Sequence, residues 1–585
     1  MKILRSLLAT ALLAATVPAL ADPQVPLRII GINDFHGNLE SDSLSLSLAD
    51  PEGAGPDAKP LRVPVGGAAA LAGMVKALRA GADNSLVLSA GDLIGASPLP
   101  STLFRHESTI AVMNRIGVDV NVTGNHEYDA GAAELKRVAR GGCGKPQPRS
   151  PAESCADGPY KGAAFPFIVS NVVDAKGHAF MAPYVIRKVE GVKVGIIGAV
   201  TRTTPSIVVP SGIAGLKFQD EAVGINRAAR QLRKQGVRTL IAVLHEGGEI
   251  GPPAKRGDWN DPKCEEKHGP IWDIAHRLDK DIRILMTAHT HQGYRCEFEG
   301  RLLIQGTSYG RGVSVVDVVL DPRTGRLVPS SVRSINLPVL NDKTPPEMRE
   351  KLASALPAPY SAVLRDARPD AEIATMVAHY AGEVAPKADR AVGRIEGPFL
   401  RGGLTDSTAG RLLADAQLAA TRSQGAQMAF MNPGGIRSNL ECAAPPCTVT
   451  YGQAFSMQPF GNGLVVMTLT GTQVKVLLES QQMRPDGEPT ILQPSAGFKY
   501  TWHSGARRGE KVHDMKLDGQ PIKPDARYRV TVNGFIAEGG DGFVLLKDGR
   551  ERTGGGDELQ ALIDYLAAAP RTPDPTPRMN RVNGP

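Results

Sequence analysis

The sequence predicts an α/β protein of two domains. Three observations carry this. The chain has 585 residues, too long for one ordinary domain at roughly 150 residues each. Short β-branched runs alternate with helical patterns over the first half and again, with more turns, over the second. A Pro- and Ala-rich stretch of helical periodicity separates the halves. Hydrophobic residues make up 42% and charged residues 22%, which excludes a chain disordered throughout. The 64 glycines and 45 prolines follow no collagen period and read as turns. The net charge of +7 is mild for this length and no basic run dominates, so nucleic acid is not an expected partner.

Residues 1–21 read as a signal peptide. Lys2 and Arg5 give a positive start, Leu7 to Val17 an uncharged apolar core, and Ala19-Leu20-Ala21 a small-residue cleavage site. The core is short for a membrane span and ends at Pro18. No later apolar run reaches about 18 residues, so no membrane anchor is expected. The mature chain is expected to be periplasmic or secreted. Six cysteines suit an oxidising compartment. They allow 15 pairings. Their clustering favours Cys143–Cys155, Cys264–Cys296 and Cys442–Cys447.

Residues 22–340 hold the first domain. Its strands are read from LRIIGIN, SLVLSA, VDVNVT, VKVGIIGAV, TLIAVL and RILMTA, and its helices from GGAAALAGMVKALRA and INRAARQLRKQ. Residues 341–390 form a helical linker (PPEMREKLASAL, then DAEIATMVAHYAGEV). Residues 391–566 form the second α/β domain. Residues 567–585, rich in Pro, are expected to be a mobile tail.

The residues that follow the apolar runs of the first domain carry chemistry. Asp34 and His36 follow the first, Asp92 the second and Asn125 the third; His245 closes TLIAVL, and His289 and His291 follow RILMTA. Open α/β sheets collect functional groups at the carboxyl ends of their strands. Asp, His and the Asn amide oxygen suit divalent ions such as Zn and Mn. Seven ligands with one bridging carboxylate fill two sites of four, and two ions about 3.5–4 Å apart form a clamp for phosphoryl transfer. A single histidine of this kind is more often a satisfied turn or core residue, but five strand ends delivering ligands together are not.

Asn33-Asp34-Phe35-His36-Gly37, Gly91-Asp92, Gly124-Asn125-His126-Glu127 and Ala288-His289-Thr290-His291 resemble the calcineurin-like metallophosphoesterase superfamily. Asn432-Pro433-Gly434-Gly435-Ile436-Arg437, Gln458-Pro459-Phe460-Gly461-Asn462 and Gly539-Gly540-Asp541-Gly542-Phe543 resemble the C-terminal domain of the 5′-nucleotidase/UDP-sugar hydrolase family. The resemblance covers nearly the whole mature chain. It implies an αββα sandwich for the first domain and a nucleotide-binding α/β second domain, hinged so that the domains rotate between open and closed forms. The implied reaction is hydrolysis of nucleoside 5′-monophosphates, with UDP-sugars or 2′,3′-cyclic nucleotides as further substrates. Two divalent ions (Zn, Mn or Co) and a monomeric state are expected. Many relatives carry Gly where this chain has Ala288, and close bacterial relatives have Gln in place of His291, which leaves the metal preference open.

The resemblance also implies roles. Asp92 bridges the ions, with Asp34, His36 and His291 on one and Asn125, His245 and His289 on the other. His126 and Asp129 form the catalytic dyad, against the blander reading of a helix-start capping pair. Phe460 and Phe535 sandwich the base, although core packing is the commoner fate of a phenylalanine. Asp541 accepts from the ribose hydroxyls, and Asn432 and Asn462 bond base or backbone. Arg437 clamps phosphate bidentately. Arg401, with Arg394 as the alternative, supplies a further arginine ahead of Gly410-Arg411-Leu412. Glu127 is expected to bond backbone near its turn. A thiosulfate-ester hydrolase of the same fold, which needs no base sandwich, a non-catalytic nucleotide-binding protein and a nuclease are the competing readings.

Overall fold

The computed structural model describes residues 24–41, 44–53, 59–145, 152–251, 258–403, 405–481 and 490–582. The expected leader lies outside them. Among the described residues no helix is long and apolar enough to cross a membrane.

Two sheets face each other in the N-terminal domain. In one, Val25–Ile32 lies between Gly312–Asp321, antiparallel, and Ser85–Ser89, parallel; Val120–Val122 and Phe167–Ile168 continue the parallel side. In the other, Val192–Val200, Thr239–His245 and Ile282–Met286 run parallel at the centre. Ile29, Leu88 and Val122 of the first sheet share one apolar cluster with Ile196, Ile241 and Ile284 of the second. Strands buried on both faces read as continuous apolar runs, and Thr239–His245 is buried along its whole length. The helix Ala68–Ala80 covers the outer face of the first sheet, and Glu221–Lys234 with Ile271–Arg277 covers that of the second. The architecture is the αββα sandwich.

Helices at Pro346–Ser354, Tyr360–Asp366 and Ala371–Ala388 follow. They are docked on the N-terminal domain. Tyr360 donates its hydroxyl to Asp317 at 2.6 Å, and a side chain at Gly73 would run into the Arg368 carbonyl. Buried Arg349 donates to the carbonyls of Asn341, Leu364 and Ala367 and ties the first two helices together.

The C-terminal domain holds a five-stranded sheet ordered Gln493–Pro494, Met428–Met431, Arg527–Asn533, Gly463–Thr470, Arg550–Asp557, and a four-stranded sheet. The three disulfides are Cys143–Cys155, Cys264–Cys296 and Cys442–Cys447, the pairs that clustering favoured. The tail differs from the expectation of mobility. The helix Glu558–Ala568 ends inside it, and Met579–Val582 adds a parallel strand beside Phe498–His503. Arg578 donates to both oxygens of Asp415 at 2.7 Å, and Asp406 accepts from the backbone of Arg578 and Met579. A polar, Pro-rich composition reads locally as a loop, but partners some 160 residues away in sequence hold it.

Candidate active site

The parallel strands of both sheets end on one edge of the sandwich, and their last residues and the turns beyond them converge there. Asp34 follows Val25–Ile32, Asp92 follows Ser85–Ser89, Asn125 follows Val120–Val122, and His245 ends its strand. Asp34, His36, Asp92, Asn125 and His245 are buried. Asp34, His36, Asp92, His289 and His291 all adopt left-handed backbone angles, with φ between 48° and 72°. Such angles are costly for residues other than glycine and gather where function over-determines the backbone.

Two donor sets share one carboxylate. Ligand atoms of Asp34, His36 and His291 lie within 4.8 Å of one another, and so do those of Asp92, His245 and His289. Asp92 Oδ2 lies 3.0 Å from His245 Nε2 and 3.6 Å from His36 Nε2, so the same oxygen faces both sets. Asn125 Oδ1 is 3.0 Å from His245 Nε2.

The hydrogen bonds behind the ligands show what this cluster lacks. His36 Nδ1 donates to the Gly95 carbonyl at 2.8 Å and His245 Nδ1 to the Ala90 carbonyl at 2.9 Å. This places the ring proton on Nδ1 and turns a bare Nε2 lone pair inward. The Nε2 atoms of His36 and His291 face each other at 3.1 Å, and that of His245 faces two oxygens. Lone pairs converging on lone pairs are reconciled by cations, and the residues fit two of them. Burial holds His36 and His291 well below the usual imidazole range and His289 at about 3, so these rings are neutral, as ligands must be. At His245 burial also opposes charge, but Asp92 and Asp34 reverse it and raise the pKa to about 10. Positive charge is favoured at that point.

The supporting contacts are backbone-rich. Asp34 accepts from the His289 N–H through both oxygens and from Asn33 Nδ2 at 2.6 Å. Glu127 accepts from the N–H groups of Asp92, Leu93 and Gly124, the backbone role expected of it. Gly124 has to be glycine, since a Cβ there would collide with the Asp92 carboxylate.

His126 donates its backbone N–H to Asp92 Oδ1 at 2.9 Å. Its ring Nδ1 lies 2.8 Å from Asp129 Oδ2, which leaves Nε2 free to act. Burial pushes the His126 pKa down, but Asp129 and Asp92 outweigh it and hold it above the ordinary value.

The C-terminal domain completes the cleft. The rings of His126 and Phe460 stack with centroids 5.9 Å apart and planes 18° apart. The Arg437 guanidinium lies 5.8 Å from the Phe460 ring centre. Its charge depresses the pKa values of His36, His289 and His291, and no carboxylate pairs with it among the described residues. Arg401 donates to the Arg437 carbonyl at 2.7 Å. Arg394 lies exposed on the strand Ala391–Ile395. Phe535 and Asp541 are half-buried. Asn432 donates to Asp541 Oδ2 at 2.7 Å and accepts from Asn533 at 2.8 Å. Asn462 donates to Glu558 at 2.8 Å. Both asparagine amides are therefore engaged in holding neighbours.

Sequence reasoning missed Tyr309, Asn533 and Glu558. Tyr309 stands T-shaped to His36 and His291, with centroids 5.6 and 5.2 Å away. It follows the strand Arg301–Gly306, a further strand end that could have been read with the others. Asn533 and Glu558 carry no such signal.

Comparison with known proteins agrees with this geometry. Residues 27–293 match the calcineurin-like phosphoesterase model and residues 391–548 the 5′-nucleotidase C-terminal domain. The chain belongs to the 5′-nucleotidase family of calcineurin-like phosphoesterases. Within this family, the 5′-nucleotidase of Vibrio cholerae is 27% identical over 97% of this chain and 96% of its own. The endonuclease YhcR of Bacillus subtilis is 32% identical over 93% of this chain, which spans only 40% of that relative's length. The 5′-nucleotidase precursor of Thermus thermophilus, 24% identical, shares the fold with a TM-score of 0.73 over 96% of this chain and all of its own.

Proposed function

We propose that the chain hydrolyses nucleoside 5′-monophosphates to nucleoside and phosphate. The observation that carries this reading is the placement of two cation-seeking donor sets, sharing Asp92, opposite Arg437 and Phe460 of the other domain. Asp34, His36, Asp92 and His291 would hold one divalent ion and Asp92, Asn125, His245 and His289 the other. When bound, the ions supply a nucleophilic water at neutral pH and polarise the phosphoryl oxygens. Four imidazoles among the seven ligands favour Zn, Mn or Co over Mg.

The protein's own groups do the rest. His126, charged and oriented by Asp129, donates from Nε2 to the oxygen that gains charge as the phosphoryl group transfers. Arg437, which no carboxylate among the described residues satisfies, takes the phosphate as a bidentate donor, and Arg401 braces its backbone. Phe460 and Phe535 receive the base, and Asp541, aimed by Asn432, accepts from the ribose hydroxyls. UDP-sugars and 2′,3′-cyclic nucleotides present the same nucleoside handle and are further candidate substrates. Residues 1–21 and the three disulfides support export to an oxidising compartment.

The test is metal removal. Chelation with EDTA abolishes AMP hydrolysis, and Zn²⁺, Mn²⁺ or Co²⁺ restores it. A panel of AMP, UDP-glucose, 2′,3′-cyclic AMP, a thiosulfate ester and single-stranded DNA then ranks the substrates. Full AMP turnover by metal-free protein, or a thiosulfate ester outrunning every nucleotide, contradicts the reading.

A further inference from the structure

The segment Gln458–Asn462 carries Phe460 into the cleft, and one carboxylate holds both of its ends. Glu558 opens the helix Glu558–Ala568 and is 1% exposed. Its Oε1 accepts from Asn462 Nδ2 at 2.8 Å and from the Asn462 N–H at 3.3 Å; its Oε2 accepts from Gln458 Nε2 at 3.3 Å. The Glu558 N–H donates back to the Asn462 carbonyl at 3.0 Å. Among the described residues no cation pairs with it. Burial pushes its pKa up, while the three N–H donors that it accepts hold it in the ionised form.

A buried carboxylate without a cation costs folding stability. Fastening a helix to a loop does not need one, because an apolar contact or an amide would serve. What the carboxylate adds is two acceptor oxygens that satisfy three donors from two residues flanking Phe460. We propose that Glu558 is a positioning residue for base recognition: it clamps Gln458 and Asn462 so that the Phe460 ring is already in place when a nucleotide arrives. This rests on the reading of Phe460 as a base platform. A ring fixed beforehand spares the binding step the entropy of ordering the loop. The effect should therefore fall on nucleotide affinity and leave the chemical step at the metals alone.

Glu558→Gln replaces one acceptor with a donor that faces other donors. The measured quantity is the ratio of kcat/KM for AMP to that for p-nitrophenyl phosphate, alongside melting temperature and bound metal. The ratio should fall roughly tenfold, the scale of one net hydrogen bond, through KM for AMP and not through kcat. Added to Phe460→Ala, Glu558→Gln should change the ratio little further, because it acts through that ring. If Glu558→Gln does not fold, Gln458→Met removes one donor and keeps the carboxylate, and the same fall is expected. An unchanged ratio in a folded variant overturns the proposal. So does an equal loss on both substrates accompanied by lost metal, which marks a purely structural role. If Phe460→Ala itself keeps the ratio, the base-platform reading fails first, and that result is distinguishable from a failure of Glu558 alone.

Discussion

In the N-terminal domain the functional atoms sit at the ends of buried strands, on strained backbone, and are held largely by main-chain donors and carbonyls. In the C-terminal domain Phe460, Phe535 and Asp541 sit half-buried on loops and short helical turns, and are held by relays of largely buried side chains: Asn533 to Asn432 to Asp541, and Glu558 to Asn462 and Gln458. A backbone cage has little freedom to shift, which suits ligands whose geometry sets the charge at the reacting phosphorus. A side-chain relay can be retuned by single substitutions, which suits recognition of different nucleosides. Damage in the first domain should therefore stop the chemistry on every substrate. Damage in the second should change which substrate is preferred.

The largest expected effect comes from tightening the cage. Gly124→Ala forces the Asp92 carboxylate out of place, and hydrolysis of AMP and p-nitrophenyl phosphate should fall together by more than about 100-fold, with metal lost from the protein. Metal analysis alongside the kinetics checks this; normal metal content with normal rates would break the cage argument. His126→Ala removes a donor but no proposed ligand. Both ions should stay bound while kcat falls by about 100-fold, the scale of one oxyanion donor. Metal falling in step with activity would make His126 a ligand.

Phe460→Ala tests the other side of the comparison. Its effect should fall mainly on KM for AMP, by about 5- to 150-fold, as for loss of a stacked base worth roughly 1–3 kcal/mol, and far less on p-nitrophenyl phosphate. The smallest effect is a pH dependence. Burial raises the Asp541 pKa to about 6, with the Asn432 hydrogen bond pulling the other way. Only the ionised carboxylate is a pure acceptor for ribose hydroxyls, so adenosine inhibition should strengthen as pH rises through that value. A group titrating at about 6 gives about a tenfold change in Ki between pH 5 and pH 7. Adenosine carries no phosphate to titrate in that range, and Asp541→Asn should flatten the profile. An unchanged slope in that variant would remove Asp541 from the ribose site.

The same contrast governs what the sequence disclosed. Asp34, Asp92, Asn125, His245 and His289 each end or follow an apolar run, so the proposed ligands stood out from spacing alone. The α/β class followed from strand runs alternating with helical patterns, whereas the sandwich came only through the family resemblance. The C-terminal residues were readable only through the family motifs, and then incompletely. Asn432 and Asn462 read as contacts to base or backbone, and nothing local shows that their amides also hold Asp541 and Glu558. Glu558 lies 96 residues beyond Asn462, and an acid at a helix start has a sufficient local explanation in the helix dipole. The tail failed for the same reason, since nothing in a Pro-rich stretch reveals that Asp406 and Asp415 are waiting for Arg578.

The central claim is that Asp92 is shared by two cations at the edge where the two sheets meet. Anomalous diffraction from crystals grown with Zn²⁺ or Mn²⁺ tests it most directly. Two peaks should appear, about 3.5–4 Å apart, one beside His36 and His291 and the other beside His245 and His289, with Asp92 between them. A single peak, or two peaks that leave Asp92 unligated, would contradict the account.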